Sequence, residues 1–281
     1  MIDWQRLDTS LAEYREQFST SKPFRYVVME NFLEPEFTKL IEGGFEIALS
    51  HKDHTTTKSH RNVLKKTGTP NLNVMTAEQV EFFNQINSER FIAYLSALTD
   101  IMPVLADHEL KGGGLHSSVA GGFLNIHTDF NFHPKDDTHR RLNLIFYVNS
   151  EWKDEWEGGL ELWNNDVSAC EAKIFPKFNR AVLFETSEIS FHGHPIPLAC
   201  PEGVSRKSIA VYYYSKWPEG LERREKTNYI LTPSQKDVLR QRVREAIDAG
   251  AENFEAASAL IPDFQPAHVK RIFAEVKNGS R

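Results

Sequence analysis

Between Val104 and Lys216 the chain is cut into short apolar runs bounded by Gly, Pro, Asn or Asp: GLHSSVAGG, FLNIHTDF, RLNLIFYVN, GGLELWN, RAVLFET, HPIPL and RKSIAVYYY. Segments of this length, rich in β-branched and aromatic residues and separated by turn formers, make strands, and so many in succession predict an all-β sandwich or a closed barrel. The alternation is clearest in RRLNLIFYVN, where Leu142, Leu144, Phe146 and Val148 share one face and Asn143, Ile145 and Tyr147 the other. The first face is uniformly apolar. The mixed face is therefore expected to look into a ligand cavity.

The flanks follow a different period. Leu7, Leu11, Tyr14 and Phe18 recur at helical intervals and predict a helix over the first twenty residues, followed by a strand over Pro23–Met29 and a helix opened by Asn31–Pro35 that runs to Leu49. Val80, Phe83, Ile86, Phe91, Tyr94, Leu95 and Leu98 form one stripe and predict a helix over 76–101; beyond Trp217, 234–248 and 266–276 read as two more. The tract Ser50–Asn73 has almost no apolar period and holds His51, His54 and His60 at irregular spacing, which reads as a mobile loop over a site. No repeat or low-complexity linker interrupts the chain. The expectation is one α+β domain over 1–281, with a mainly β core at about 104–217 and helical flanks at 1–103 and 218–281.

Composition narrows the function. With 281 residues, 40% of them hydrophobic, the chain can bury one sizeable core. A formal charge of -6 supplies no basic field to attract a phosphate backbone, so general nucleic-acid binding is not expected. Cys170 and Cys200 are too few for a disulfide framework and lack zinc spacing, and the charged N-terminus has no apolar run that would make a signal peptide or membrane span. A cytoplasmic protein without membrane contact is expected. Nothing in the pattern fixes its oligomeric state.

The chemistry centres on GGFLNIHTDFNF, which sets His127 and Asp129 two residues apart in an expected strand, facing the same side. An imidazole and a carboxylate so placed are part of a 2-His-1-carboxylate face, which holds Fe(II) and leaves positions open for substrate and dioxygen. The complement would be a distant histidine followed by a cation. His192 in SFHGHP and Arg206 in SRKSIAVYYY supply both, although His194 shares a strand face with His192 and competes for the ligand position. Phe130, Asn131 and His133 follow the pair directly and, with Arg141, are the candidates for substrate contact.

The ordered set His127-x-Asp129, His192 and Arg206-x-Ser208, together with PFRYVVMENFL, RRLNLIFYVN, EGGLELW and PKFNRAVLF, resembles the Fe(II)/2-oxoglutarate-dependent oxygenases, in particular their prolyl 4-hydroxylase-like branch, over roughly residues 23 to 217. The resemblance implies a double-stranded β-helix, or jelly-roll, with Fe(II) at one open end held by His127, Asp129 and His192, and it favours His192 over His194. It implies 2-oxoglutarate as cofactor and O2 as co-substrate, with Arg206 on the distal carboxylate, Ser208 donating a hydrogen bond, and Asn143 and Tyr147 as further contacts. Many members carry lysine where Arg206 stands. The implied reaction is hydroxylation of an unactivated C-H bond with release of succinate and CO2; desaturation or cyclisation uses the same cofactors. Related halogenases have glycine or alanine at the carboxylate position, so Asp129 points to oxygen rather than halogen transfer. A chain with no peptide-binding repeat favours a small polar metabolite, such as an amino acid or natural-product intermediate, over a peptidyl, sugar or nucleotide substrate. The non-enzyme alternative, a metal- or carbohydrate-binding jelly-roll, would have little use for Arg206.

Overall fold

The computed structural model describes residues 1–51, 55–57, 61–133 and 135–279. In chain order its helices are α1 (Trp4–Thr20), α2 (Pro35–Gly43), α3 (Phe45–Ser50), α4 (Ala77–Ile86), α5 (Glu89–Thr99), α6 (Pro233–Asp248), α7 (Phe254–Leu260) and α8 (Pro266–Lys277). Its strands are β1 (Tyr26–Met29), β2 (Thr55–Thr57), β3 (Val63–Thr69), β4 (Leu105–Ala106), β5 (Gly114–Thr128), β6 (Phe132–His133), β7 (Thr138–Tyr147), β8 (Leu160–Trp163), β9 (Cys170–Ile174), β10 (Arg180–Glu185), β11 (Phe191–His194), β12 (Ser205–Lys216) and β13 (Asn228–Tyr229).

Local chemistry explains where the expected helices divide. The one predicted to Leu49 breaks at Gly44, where an added Cβ would lie 2.7 Å from Thr76 Cγ2 and 2.8 Å from Gln79 Nε2. Thr76 and Gln79 form the capping box of α4, and Gln79 also donates to the Ile41 carbonyl of α2 at 3.0 Å, so the close approach requires a residue without a side chain. Ser88 likewise starts α5 by accepting from the Phe91 N–H, which divides the stripe predicted over 76–101 into α4 and α5.

The strands are antiparallel and run β1-β10-β7-β12-β5-β11-β8-β9, with β3 and β13 also on β5. The long β5 bends the sheet on itself: its first part pairs with β12, its last part with β11 and β13, and β3 follows it along both. Helices α1 to α5 cover the outer face of β7, β10 and β12, where Leu142, Leu144, Phe146, Leu183, Ile209 and Val211 join Phe32, Phe45, Phe82, Phe91 and Leu95 in one buried cluster. At about 25 cal/mol per Å² of apolar surface, such burial is the main stabilising term of the domain. Helices α6 to α8 pack on each other around Leu239, Val243, Ile261, Val269 and Ile272.

Three expectations change. The tract Ser50–Asn73 is not all loop, because β2 pairs with β3 and β3 with β5; His54 and His60 lie outside the described residues. The sheet extends beyond 104–217, taking β1 to β3 from before it and β13 from after it. The short α7 has no counterpart in the sequence pattern. No described helix is long and apolar enough to cross a membrane.

Candidate metal and cofactor site

The concave side of the sheet encloses a cavity of about 320 Å³ whose lining includes His127, Asp129, Asn143, His192, Arg206, Ser208 and Tyr212. His192 on β11 stands directly across from His127 on β5. Asp129 lies just past the last residue of β5. Their ligand atoms fall within 4.8 Å of one another. Asp129 Oδ1 is 3.6 Å from His127 Nε2, and Asp129 Oδ2 is 3.4 Å from His192 Nε2.

Each imidazole is oriented from behind by a backbone carbonyl two residues earlier, His127 Nδ1 at 2.8 Å from Asn125 O and His192 Nδ1 at 2.9 Å from Ser190 O. A proton on Nδ1 leaves both Nε2 lone pairs facing the cluster, the tautomer a metal requires. Burial first, then the neighbouring His127, pushes His192 down to about 4, so at neutral pH it is an uncharged donor. Tyr229 packs on the His127 ring at 5.3 Å and Phe184 on the His192 ring at 4.7 Å.

Asp129 is held as an anion. Burial raises its pKa, but the Arg140 guanidinium and the two imidazoles outweigh this and hold it well below the usual carboxylate range. Oδ2 accepts from Arg140 Nη2 at 2.9 Å and from Asn143 Nδ2 at 2.8 Å, and Arg224 donates from Nε to the Asp129 backbone carbonyl at 3.2 Å. Arg140 is itself fixed between aromatic rings, its Cζ 3.4 Å from the centroid of Tyr212 and 4.6 Å from that of Phe130.

At the other end Arg206 is 6% exposed and meets no carboxylate among the described residues. Its Nε donates to the Gly158 carbonyl at 2.7 Å and its Nη2 to the Tyr147 hydroxyl at 3.1 Å. Gly158 has φ 76°, and a Cβ there would meet Arg206 Cδ at 2.9 Å, which accounts for the glycine turn in EGGLELW. A cation facing a donor triad across one cavity suits a ligand with a chelating head and an anionic tail.

Among the other residues named from sequence, Asn143, Ser208 and Phe130 line the cavity, and Tyr147 stands behind Arg206. His194 lines it too but is not part of the donor cluster. Asn131 does not line it; its side chain bonds to Glu222 O and Arg224 N and anchors the 222–224 segment. His133 is buried between Asp107 and Tyr214, and Arg141 is ion-paired to Glu185 at 2.9 Å outside the cavity. The reason for the last difference is a break in register between β7 and β12, where Tyr213 pairs with Leu142 but Tyr214 with Arg140. The extra residue is Arg141, and the bulge turns Arg140 to the side of Asn143. Lys66, Thr227 and Tyr229 also line the cavity from outside the β core expected from sequence.

Residues 113–214 match the family described as the 2OG-Fe(II) oxygenase superfamily. The matched span holds His127, Asp129, His192 and Arg206. The chain is 24% identical over 202 residues to the prolyl 3-hydroxylase OGFOD1 of Mus musculus, an alignment that takes in 68% of this chain and 33% of that protein, so the chain spans about a third of that relative's length. Its fold matches a prolyl hydroxylase from Trichoplax adhaerens solved with a hypoxia inducible factor peptide (TM-score 0.55, 15% identity, 75% of this chain and 91% of that one). It also matches HygX from Streptomyces hygroscopicus, solved with nickel, 2-oxoglutarate and hygromycin B (TM-score 0.50, 12% identity, 79% and 99%). The architecture is the double-stranded β-helix, and Fe(II) and 2-oxoglutarate are named in the description of the matched superfamily.

Proposed function

We propose that the chain is an Fe(II)- and 2-oxoglutarate-dependent hydroxylase in which His127, Asp129 and His192 hold the metal and Arg206, with Ser208 and Tyr147, holds the distal carboxylate of the cofactor. The observation that carries this reading is the convergence of two buried imidazoles and a largely buried carboxylate in a cavity whose far end presents a buried arginine with no carboxylate partner among the described residues. Two neutral imidazoles and one carboxylate fit Fe(II) and leave part of its coordination open. When bound, the metal and cofactor supply the oxidation of a C-H bond with O2 as oxidant.

The protein's own residues do the rest. Asn125 O and Ser190 O fix the imidazole tautomers; Arg140 and Asn143 fix the carboxylate; Phe184 and Tyr229 shield the rings from water. Arg206 orients the cofactor by gripping the end remote from the metal. For the substrate we favour a prolyl residue of a peptide or protein, supported by the names of the mouse relative and the Trichoplax neighbour. The small polar metabolite expected from sequence is the second reading, favoured by the antibiotic bound in HygX.

The test is succinate formation by iron-loaded protein given 2-oxoglutarate and O2, with proline-containing peptides in one arm and amino acids and polar metabolites in the other. Stimulation by peptides with an added oxygen on proline is the expected result. Stimulation only by free metabolites moves the substrate to the second reading. Absence of 2-oxoglutarate binding to the folded, iron-loaded protein refutes the cofactor assignment.

A further inference from the structure

A second cation reaches the cofactor end of the cavity from a strand that the sequence pattern leaves out of the barrel. On β3 the register with β5 shifts between Leu64 and Lys66, and Lys65 has the left-handed φ of 51°. The bulge breaks strict alternation, so Val63 and Lys66, three residues apart, both line the cavity while Lys65 is exposed and donates to Ala120 O. After the bulge Lys66 pairs with Ser118 of β5, and Ser118 pairs on its other side with Arg206 of β12. Lys66, Ser118 and Arg206 thus form one row across three strands and all line the same cavity. With strands about 4.8 Å apart, the two cationic residues flank Ser118 with their backbones roughly 10 Å from each other.

Like charges lining one cavity are unfavourable without an anion between them. No carboxylate lies within ion-pair distance of Lys66 or Arg206 among the described residues, where Arg206 has only Gly158 O and the Tyr147 hydroxyl as partners. The strain is visible on the ammonium: burial, then Arg206, pushes Lys66 down to about 8, against a weaker opposing pull from Asp129. His116 and His194 line the same region and add no charge, since burial and these two cations hold both well below the ordinary imidazole range. Position along β5 decides which anion is meant. Ser118 is near the start of the strand at the level of Arg206, whereas His127 is near its end.

We propose that Lys66 and Arg206 form a two-cation clamp on a single carboxylate, the distal carboxylate of 2-oxoglutarate, with Ser118 beneath it. This rests on the cofactor reading above and adds to it a residue from β3, so that cofactor binding ties β3 to β12 across β5.

The experiment titrates metal-loaded protein anaerobically by calorimetry with 2-oxoglutarate and, in parallel, with 2-oxopentanoate, which keeps the 2-oxo acid head and lacks the distal carboxylate. Metal content and melting temperature are measured for each variant. Lys66→Met should weaken 2-oxoglutarate about tenfold to a hundredfold, the loss of one charge-assisted hydrogen bond, and leave 2-oxopentanoate within about twofold. Lys66→Arg should recover most of the affinity. Without cofactor Lys66→Met should melt no lower than the parent, because a repulsion is removed, and it should gain less on adding 2-oxoglutarate. An unchanged 2-oxoglutarate affinity in Lys66→Met, or equal losses for both acids, overturns the clamp. A parent protein that does not distinguish the two acids refutes the cofactor reading itself rather than the role of Lys66.

Discussion

Removing the guanidinium that holds Asp129 tests how the metal end is built. Arg140 is 1% exposed and the Asp129 side chain 11%, their atoms 2.9 Å apart, so Arg140→Met leaves a carboxylate charge in a dry site with Asn143 as its remaining side-chain donor. Breaking a buried pair from one side costs about 3–5 kcal/mol, because the surviving charge has lost its compensation. The same substitution also loses the contact of the guanidinium with Tyr212 and Phe130, and that part is independent of Asp129. A double-mutant cycle separates the two. In an Asp129→Asn background, Arg140→Met should cost less by about 2–3 kcal/mol, the coupling expected of a close charged pair. Urea unfolding of the metal-free proteins at neutral pH gives all four stabilities. The sign with pH follows from the depressed pKa of Asp129: its contribution is present above the unfolded value of about 3.9 and is lost as pH falls through the lower folded value. In Arg140→Met that loss should begin at higher pH. A coupling below about 0.5 kcal/mol would mean that Arg140 acts through its aromatic contacts alone, and the electrostatic account of the site would be wrong.

The remaining expectations are more direct. His127→Ala and His192→Ala should each abolish stoichiometric iron binding, read by metal analysis after desalting, while His194→Ala should retain it; the reverse pattern would move the ligand from His192 to His194. Arg206→Ala should keep its iron and lose 2-oxoglutarate affinity by a factor of at least about a hundred, from the roughly 3–5 kcal/mol of a broken buried pair, with Arg206→Lys milder. Stability of the metal-free protein should fall with acid below about pH 6.5, since His192 titrates near 4 in the fold and His116 and His194 lower still. The unfolded chain binds protons that the fold refuses there, up to about 1.4 kcal/mol per pH unit for each of the three, and a flat urea midpoint between pH 6.5 and 5 would contradict their burial as neutral rings. Turnover in excess chloride should give an oxygenated and not a halogenated product by mass spectrometry, because the proposed ligand set includes the Asp129 carboxylate.

The His127 and Asp129 pair was legible because its chemistry is local. His127 and Asp129 are two residues apart, and the period of a strand alone sends them to one side. The alternation of β7 likewise identified Leu142, Leu144 and Phe146 as core and Asn143 as cavity lining, and both hold in the structure. Which of His192 and His194 joins the cluster was open to the residues by themselves, since they share a strand face. Cross-strand register decides it, by placing His192 opposite His127 and His194 opposite Leu124.

Tertiary structure alone decided the identity of the supporting cations. A strand read with period two puts Arg141 beside Asn143 and gives no reason to select Lys66 from a polar tract. Two bulges, at Arg141 against β12 and at Lys65 against β5, each insert a residue and exchange the faces on either side, bringing Arg140 to Asp129 and Lys66 to the row of Arg206. A bulge is set by how one strand must bend to stay paired with a partner far away in the chain, so no local sequence signal announces it. Tyr229 reaches His127 for a similar reason, by β13 pairing with the end of β5. Sequence placed His127 and Asp129 on one side because that follows from spacing within one strand; His192 and the residues that support and close the cavity follow from register between strands, which only the folded sheet fixes.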